Sequence, residues 1–362
     1  MRSLGAHRPP RWRRGEKRRA ARRIFRQECG AIFQQARLEV ALSDRKVLVT
    51  GAQGFIGRAL CARLQESGIV HVGAVRALDD RATKAAPLVA LGDFAAAEWD
   101  AALAGVDAIV HLAGLAHVRA AADPSDPTPY VVANVHVTRR LCDAASRARV
   151  RRIVLVSSVK VYGENTAPGR PFRAGDPASP RDLYAQSKAE AEKVLWEVCR
   201  RHGIEGVVLR LPLTYGPGVK GNFLMLLEAI AAERRLPLAG IANRRSLLNV
   251  ANAVSAIEAA LVRPALAGAT LPVADEQTLS TSDLARRLAR ALGVTAHLFH
   301  VPAPVLQTAA ALAGKRASMT RLLGSLEVDA RRFCVLASWL PVHTVDEGLA
   351  ATAAWWKLRH VL

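Results

Sequence analysis

Val47-Leu48-Val49-Thr50-Gly51-Ala52-Gln53-Gly54-Phe55-Ile56-Gly57 is the stretch that decides the fold. A short β-branched apolar run meets a glycine-rich turn, and Arg58 to Leu64 follows with apolar residues at Leu60 and Leu64. That order is strand, turn, helix, the context in which a three-glycine pattern carries meaning. Gly51 suits the tight turn. Gly54 lets a pyrophosphate approach the backbone at the helix N-terminus, where free N–H groups and the helix dipole favour an anion. Gly57 lets the helix pack close to the strand, and Phe55 and Ile56 complete the expected phosphate loop. The spacing is G-x-x-G-x-x-G, not G-x-G-x-x-G, so the glycines alone also fit an ordinary strand–helix turn without a ligand.

Outward from this stretch, the chain has 362 residues and 51% hydrophobic content, enough for a large core. Its net charge is +20. The first 44 residues hold twelve Arg/Lys and four Asp/Glu, so +8 lies there and +12 is spread over the rest. Such a balance suits a polyanionic ligand such as a nucleotide diphosphate. No nucleic-acid-binding motif is present and aromatics are only 5%, so a specific nucleic-acid partner is not expected. The five cysteines (Cys29, Cys61, Cys142, Cys199, Cys334) form no C-x-x-C pair, which indicates neither a disulfide framework nor a zinc site and fits a reducing cytoplasm. No apolar run reaches the roughly 18 residues a membrane span needs. Val305–Ala313, the most apolar late stretch, reads as a buried or partner-facing helix. Residues 1–44, with Arg11 to Arg26 mostly arginine, lack the apolar core of a signal peptide and read as a basic, disordered extension.

The second strand is expected at Val70–Val75, ending in Arg76. The residue at this place, about 20 past the glycines, sorts the two nicotinamide dinucleotides: an acid accepts from the ribose 2′-OH of NAD, and a base suits the 2′-phosphate of NADP. Arg76 therefore points to NADP(H) over NAD(H), while Asp79-Asp80 keep NAD open. Val106 to Gly114 reads as another strand, with His111 structural. Ile153–Ser158 is a buried-type strand that runs into polar residues at the C-terminal end, where open parallel sheets bind ligands. Further on, Tyr184 and Lys188 stand at i and i+4, on one helical face. A phenol titrates near pH 10 and is a poor acid or base at neutral pH; a neighbouring ammonium stabilises its phenolate and brings it toward the working range. Thr278 to Leu292 reads as a helix with Leu284, Leu288 and Leu292 on one side.

These motifs together resemble the extended short-chain dehydrogenase/reductase family of nucleotide-sugar epimerases, dehydratases and reductases, over about residues 46–355. "TGAQGFIG" carries the fingerprint. Val106–Gly114 is similar to "DxVxHLAA", whose small residues at the strand end let the cofactor pass, which implies that Leu112 and Ala113 line it. Leu91-Gly92-Asp93 is similar to "GDL", which implies that Asp93 lies beside the adenine. "NVHVT" resembles "NVxGT", with Asn134 structural. The family triad maps onto Ser158, Tyr184 and Lys188: Ser158 would orient the substrate oxygen, Tyr184 would move the proton, and Lys188 would also bind the nicotinamide ribose. Asn222 and Arg245, in stretches similar to "GPGxxxNF" and "RDYIHVxD", would touch the substrate diphosphate. Asn252 replaces the usual Asp there, weakening a helix-capping role. The family's 4,6-dehydratases carry Asp-Glu directly after the Ser/Thr. Here Val159 and Lys160 stand instead, which argues against water elimination; Lys160 faces either the substrate or solvent.

The fold implied is a doubly wound parallel α/β sheet of Rossmann type with a small C-terminal substrate lobe. Residues 45–215 would form the NAD(P)-binding domain and 216–362 mainly the substrate lobe, interleaved with the last Rossmann elements. The "SSVKVYGE" and "NRRSL" stretches look like 4-reductases of UDP-4-keto-6-deoxy-N-acetylglucosamine that serve surface-polysaccharide synthesis. A UDP-sugar 4-epimerase with tightly held NAD uses the same triad and stays open, as does a non-catalytic cofactor sensor. The resemblance further implies a UDP-sugar substrate, a homodimer and no metal.

Overall fold

The computed structural model describes residues 42–78, 87–116, 123, 125–312 and 322–360. The Arg-rich segment and Asp79-Asp80 lie outside these residues. Strands β1 (Val47–Thr50), β2 (His71–Val75), β3 (Leu88–Ala90), β4 (Ala108–His111), β5 (Arg152–Ser158) and β6 (Glu205–Leu211) are joined by β9 (Ala269–Pro272) in one sheet ordered β3-β2-β1-β4-β5-β6-β9. Every pairing in it is parallel. The order reverses between β1 and β4, which opens a crevice at the strand C-termini. The fingerprint turn leaves the sheet at that reversal.

Both faces of the sheet are covered, which is why its central strands read as unbroken apolar runs and not as alternation. Alternate residues still serve opposite faces. Val47 and Val49 pack with Leu60 and Leu64 of α1 (Phe55–Glu66) and with Ala253, Ile257 and Ala260 of α5 (Val250–Val262). Leu48 packs the other way, with Leu141 and Ala145 of α2 (Val137–Arg147) and Leu195 and Val198 of α3 (Leu183–His202). Helix α2 continues a π-helical segment, Val131–His136, which itself follows one α-turn at Thr128–Tyr130. Helix α3 has clear punctuation: Asp182 caps its start, Gly203 at φ 68° ends it, and Arg200, Arg201 and His202 lie against its negative end.

After Leu211 the chain leaves the sheet. Strands β7 (Leu213–Tyr215) and β8 (Leu247–Asn249) form a separate parallel ribbon. Helices α4 (Gly221–Ala231), α6 (Thr281–Leu292) and the C-terminal α9 (Val345–His360) close a second core on Tyr215, Phe223, Leu227, Leu284, Leu288 and Leu349. Between β7 and α9 the chain returns to the main sheet through α5 and β9, then runs through α7 (Ala303–Leu312) and α8 (Arg331–Ala337). The segment 164–172 is laced to 325–329: Thr166 N–H donates to the Ser325 carbonyl at 2.8 Å, Phe172 N–H to Glu327 at 2.9 Å and Asp329 N–H to Phe172 at 2.8 Å. Leu326 in turn bonds to Arg244 and Ser246.

Asn252 is not a cap. Asn249 caps α5, its side chain accepting from Ala251 N–H at 2.8 Å. Asn252 lies one turn inside the helix, fully buried, and its amide donates to Asp275 Oδ1 at 2.7 Å and to the His343 carbonyl at 2.9 Å. Asp275 also accepts from Tyr215 and Asn249. An Asp at 252 would face this carboxylate with no proton to give, which explains the departure from the family pattern. Among the described residues no helix is long and apolar enough to cross a membrane, and no group of three His, Cys, Asp or Glu is placed to hold a metal.

Candidate active site

The glycine loop is set by backbone geometry. Gly51 has φ 70°, and a Cβ on it would stand 2.8 Å from Ala113 N. A Cβ on Gly57 would stand 2.2 Å from the Gly51 carbonyl oxygen, so only glycine lets α1 start against the end of β1. Gly54 is the N-cap of α1 and offers no side-chain acceptor. The first N–H groups of the helix, at Phe55, Ile56 and Gly57, therefore point out of a side-chain-free cradle, which suits a pyrophosphate. Across the crevice, Ala113 N–H donates to Thr50 Oγ1 at 3.1 Å, which ties the Leu112–Gly114 loop to the fingerprint. His111 bridges Thr50 (2.7 Å) and Thr138 (3.0 Å), and burial, with help from the Lys188 charge, pushes it down to about 3. It is a neutral structural histidine, as its position in the sequence suggests.

Arg76 follows β2 directly and is exposed. Its carbonyl accepts from Gly92 N–H at 3.0 Å, so the structure places Arg76 beside the Leu91-Gly92-Asp93 turn. The two residues expected at the adenosine end thus come together from separate strands.

At the other end of the crevice stand Ser158, Tyr184 and Lys188. Ser158 ends β5 and is buried; its hydroxyl caps a 3-10 turn, Val159–Val161, by accepting from Lys160 N–H at 3.2 Å. Tyr184 is on the first turn of α3, half-buried beside Ser158 and 6.4 Å from the Tyr130 ring, centroid to centroid. Lys188, one turn on, is buried beside Gly114, where an added Cβ would lie 4.0 Å from Nζ. Burial pushes the Tyr184 phenol up to about 12, against the pull of Ser158 and with a further push from Asp182. This is the opposite of the sequence expectation, in which the ammonium lowers the phenol. Burial also pushes Lys188 down to about 8, opposed by Glu192.

Of the groups that support these residues, Asn134 belongs to a sequence motif and Glu192 to none. Asn134, in the π-helical segment, clamps the Leu115 backbone through both its amide atoms (2.7 and 3.0 Å) and donates to Ser187 Oγ at 2.8 Å. It joins the loop after β4 to the helix of Tyr184. Glu192, one turn past Lys188, takes a forked pair from Arg210 (3.0 and 2.6 Å) and a hydrogen bond from Ser157 (2.5 Å), all buried. Arg210 lies 4.2 Å above the Tyr162 ring. The i, i+4 step from Lys188 was the one available signal for Glu192.

The Lys160 side chain is 25% exposed. Its ammonium pairs with Asp182 and lies 3.8 Å from Glu164. Arg245 sits in the lobe seam, bonded through its backbone to Leu279 and through Nη1 to the Gly324 carbonyl at 3.0 Å. Asn222 is exposed on the first turn of α4. A cavity of about 820 Å³ joins Gly54 and Phe55 to Gly218, Lys220, Asn249 and Trp355; Ser158, Tyr184 and Lys188 do not line it.

Residues 47–271 match the description of the NAD dependent epimerase/dehydratase family. The UDP-glucose 4-epimerase of Vibrio cholerae is 33% identical over 317 residues, covering 86% of this chain and 96% of that protein. A dTDP-glucose 4,6-dehydratase of Streptomyces griseus is 30% identical over 86% of this chain and 93% of its own length. Among solved structures, MoeE5 in complex with UDP-glucuronic acid and NAD superimposes with a TM-score of 0.71 at 25% identity, over 88% of this chain and 100% of that one.

Proposed function

The chain belongs to the NAD dependent epimerase/dehydratase family and is a nucleotide-sugar enzyme of that type working with a nicotinamide cofactor, and on this footing we propose that it reduces the 4-keto group of a UDP-4-keto-6-deoxy-N-acetylhexosamine. The observation that carries the proposal is the placing of Tyr184, on the first turn of α3, beside Ser158 at the end of β5, with the buried Lys188 one turn on and burial keeping the phenol protonated. A phenol held well above neutral pH is in the form that donates. Tyr184 gives its proton to the oxygen at C4, Ser158 orients that oxygen, and Lys188 holds the phenol from below. The nicotinamide supplies the hydride. Gly51, Gly54, Phe55, Ile56 and Gly57 would hold its pyrophosphate, Leu112, Ala113 and Lys188 its ribose end, and Asp93 its adenine. Arg76 supports NADP(H), which a net reduction exchanges at each turnover. Asn222 and Arg245 are proposed for the substrate diphosphate.

Elimination finds no support in the side chains. Val159 is buried and apolar, and Lys160 is a cation engaged by two carboxylates, so the extra acid and base of a dehydratase are missing. The second reading is a UDP-sugar 4-epimerase, favoured by the Vibrio cholerae relative along nearly its whole length. We place either activity in a cytoplasmic homodimer that feeds polysaccharide synthesis.

The test is mass spectrometry of the purified, denatured protein for carried cofactor, with NADPH and NADH oxidation followed on UDP-4-keto-6-deoxy-N-acetylglucosamine. An empty site and NADPH consumption support the reductase. Stoichiometric NAD, no net oxidation, and interconversion of UDP-glucose with UDP-galactose establish the epimerase instead. Tyr184→Phe should abolish turnover in both cases; a variant that keeps full turnover removes Tyr184 from the chemistry.

A further inference from the structure

Lys160 has two attachments, and they lead to the two partners in proton transfer. Its backbone N–H donates to Ser158 Oγ at 3.2 Å. Its side chain reaches Asp182, whose other oxygen caps α3 by accepting from Ala185 N–H at 2.7 Å. The Asp182 carbonyl also accepts from Gln186 N–H at 2.9 Å, so this residue anchors the first turn of α3. Tyr184 is on that turn. One residue therefore joins the strand end that carries Ser158 to the helix start that carries Tyr184, 22 positions along the chain from Lys160 to Asp182.

The charges run along the same path. The groups facing Tyr184 are Ser158 from the end of β5, Tyr130 from the α-turn before the π-helical segment, and Asp182 at the start of its own helix, with Lys188 one turn on. Asp182 in turn meets Lys160, with Glu164 at 3.8 Å from the same ammonium. A carboxylate beside a phenol opposes its ionisation. An ammonium held on that carboxylate offsets the opposition. The side chains of Lys160, Asp182 and Glu164 are 25%, 26% and 29% exposed, so water screens the offset in part and does not erase it.

We propose that Lys160 is a positioning residue for proton transfer, fixing Tyr184 against Ser158 through Asp182 and screening the Asp182 charge from the phenol. This rests on Tyr184 being the group that moves the proton. It gives a role to the cation that stands where dehydratases of the family need an acid.

The experiment is a pH titration of tyrosinate absorbance on the NAD-loaded protein. Each variant is read as a difference from the same variant carrying Tyr184→Phe, which isolates Tyr184 from the other tyrosines of the four. Lys160→Met should raise the Tyr184 midpoint by about half a pH unit or more, a partly screened unit charge. Lys160→Arg should leave it in place. Asp182→Asn, which still caps a helix, should lower it, and adding Lys160→Met to that variant should produce little further change. The alkaline limb of the pH–rate profile should move in the same directions. A Lys160→Met protein that melts like the wild type and shows an unmoved midpoint overturns the proposal, as does an upward move in Asp182→Asn. Those results leave the catalytic assignment standing if Tyr184→Phe is inactive in the turnover assay. A fully active Tyr184→Phe overturns the catalytic assignment and this proposal with it.

Discussion

Asn252→Asp is the substitution whose outcome the structure fixes most sharply. It restores the residue usual in the family and removes no carbon atom. Asn252 is fully buried and Asp275 is 7% exposed. Burial already pushes the Asp275 carboxyl up, and its bonds from Asn252, Asn249 and Tyr215 pull it back. The new carboxylate could still accept from His343 N–H, now 2.9 Å from the Asn252 oxygen. Its other oxygen would stand where the amide nitrogen is, 2.7 Å from Asp275 Oδ1 and 2.9 Å from the His343 carbonyl, with nothing to donate. Two charges about 4 Å apart repel by about 4 kcal/mol at an effective dielectric constant near 20. That repulsion equals about three pH units of proton affinity, so the pair should hold one shared proton up to about pH 7. The shared proton belongs to the folded state and its pKa is raised above the unfolded value. Stability is therefore lost as pH rises through it and recovered as pH falls. Urea unfolding should show the variant about 4 kcal/mol less stable than wild type at pH 8, and only about 1.5 kcal/mol less stable at pH 5. An equal loss at both pH values, or a loss below about 0.5 kcal/mol at pH 8, would refute the two-carboxylate reasoning.

Gly57→Ala places a methyl 2.2 Å from a carbonyl oxygen, so α1 must back away from β1; we expect about 1–3 kcal/mol of destabilisation and weaker NAD(P) binding by calorimetry. Glu192→Gln should keep the shape of the buried network but leave Arg210 without its counter-charge, a loss of about 3–5 kcal/mol in chemical denaturation. His111, neutral in the fold at about 3, must take up a proton on acid unfolding, so wild-type stability should fall by roughly 1.4 kcal/mol per pH unit from this group below about pH 6.5. Replacing it with Gln should flatten that part of the stability–pH curve. Arg76→Ala should raise the KM for NADPH more than that for NADH, and equal effects would remove the 2′-phosphate from its role.

The sheet was legible because its signals are local. Thr50-Gly51 and Gly54 to Gly57 specify a turn that only glycine can make, and the apolar runs of β1, β4 and β5 bury both faces of a strand. Tyr184 and Lys188 were legible because a helical step brings them together. What surrounds them was not. Lys160 meets Asp182 across a loop with no period, so nothing in the spacing told its direction. The Glu192–Arg210 pair joins a helix to a strand, and only the packed sheet sets the distance. Asn252 and Asn249 both fit a helix start, and the phase of α5 decides between them. The phenol shifts upward because burial outweighs the pull of Ser158, a balance that depends on depth, which spacing does not encode.

The lacing of 164–172 to 325–329 has a mechanical consequence. The loop that leads from Ser158 to Tyr184 is hydrogen-bonded along one edge of 325–329, and Arg244 and Ser246 grip the same segment at Leu326. Any force that shifts the outer lobe is delivered first to this loop, whose two ends carry the hydroxyl and the phenol. The protein thus has a tether of fixed length between the outer lobe and the gap that separates Ser158 from Tyr184. Lengthening that tether by one inserted residue would slacken the link without touching either end.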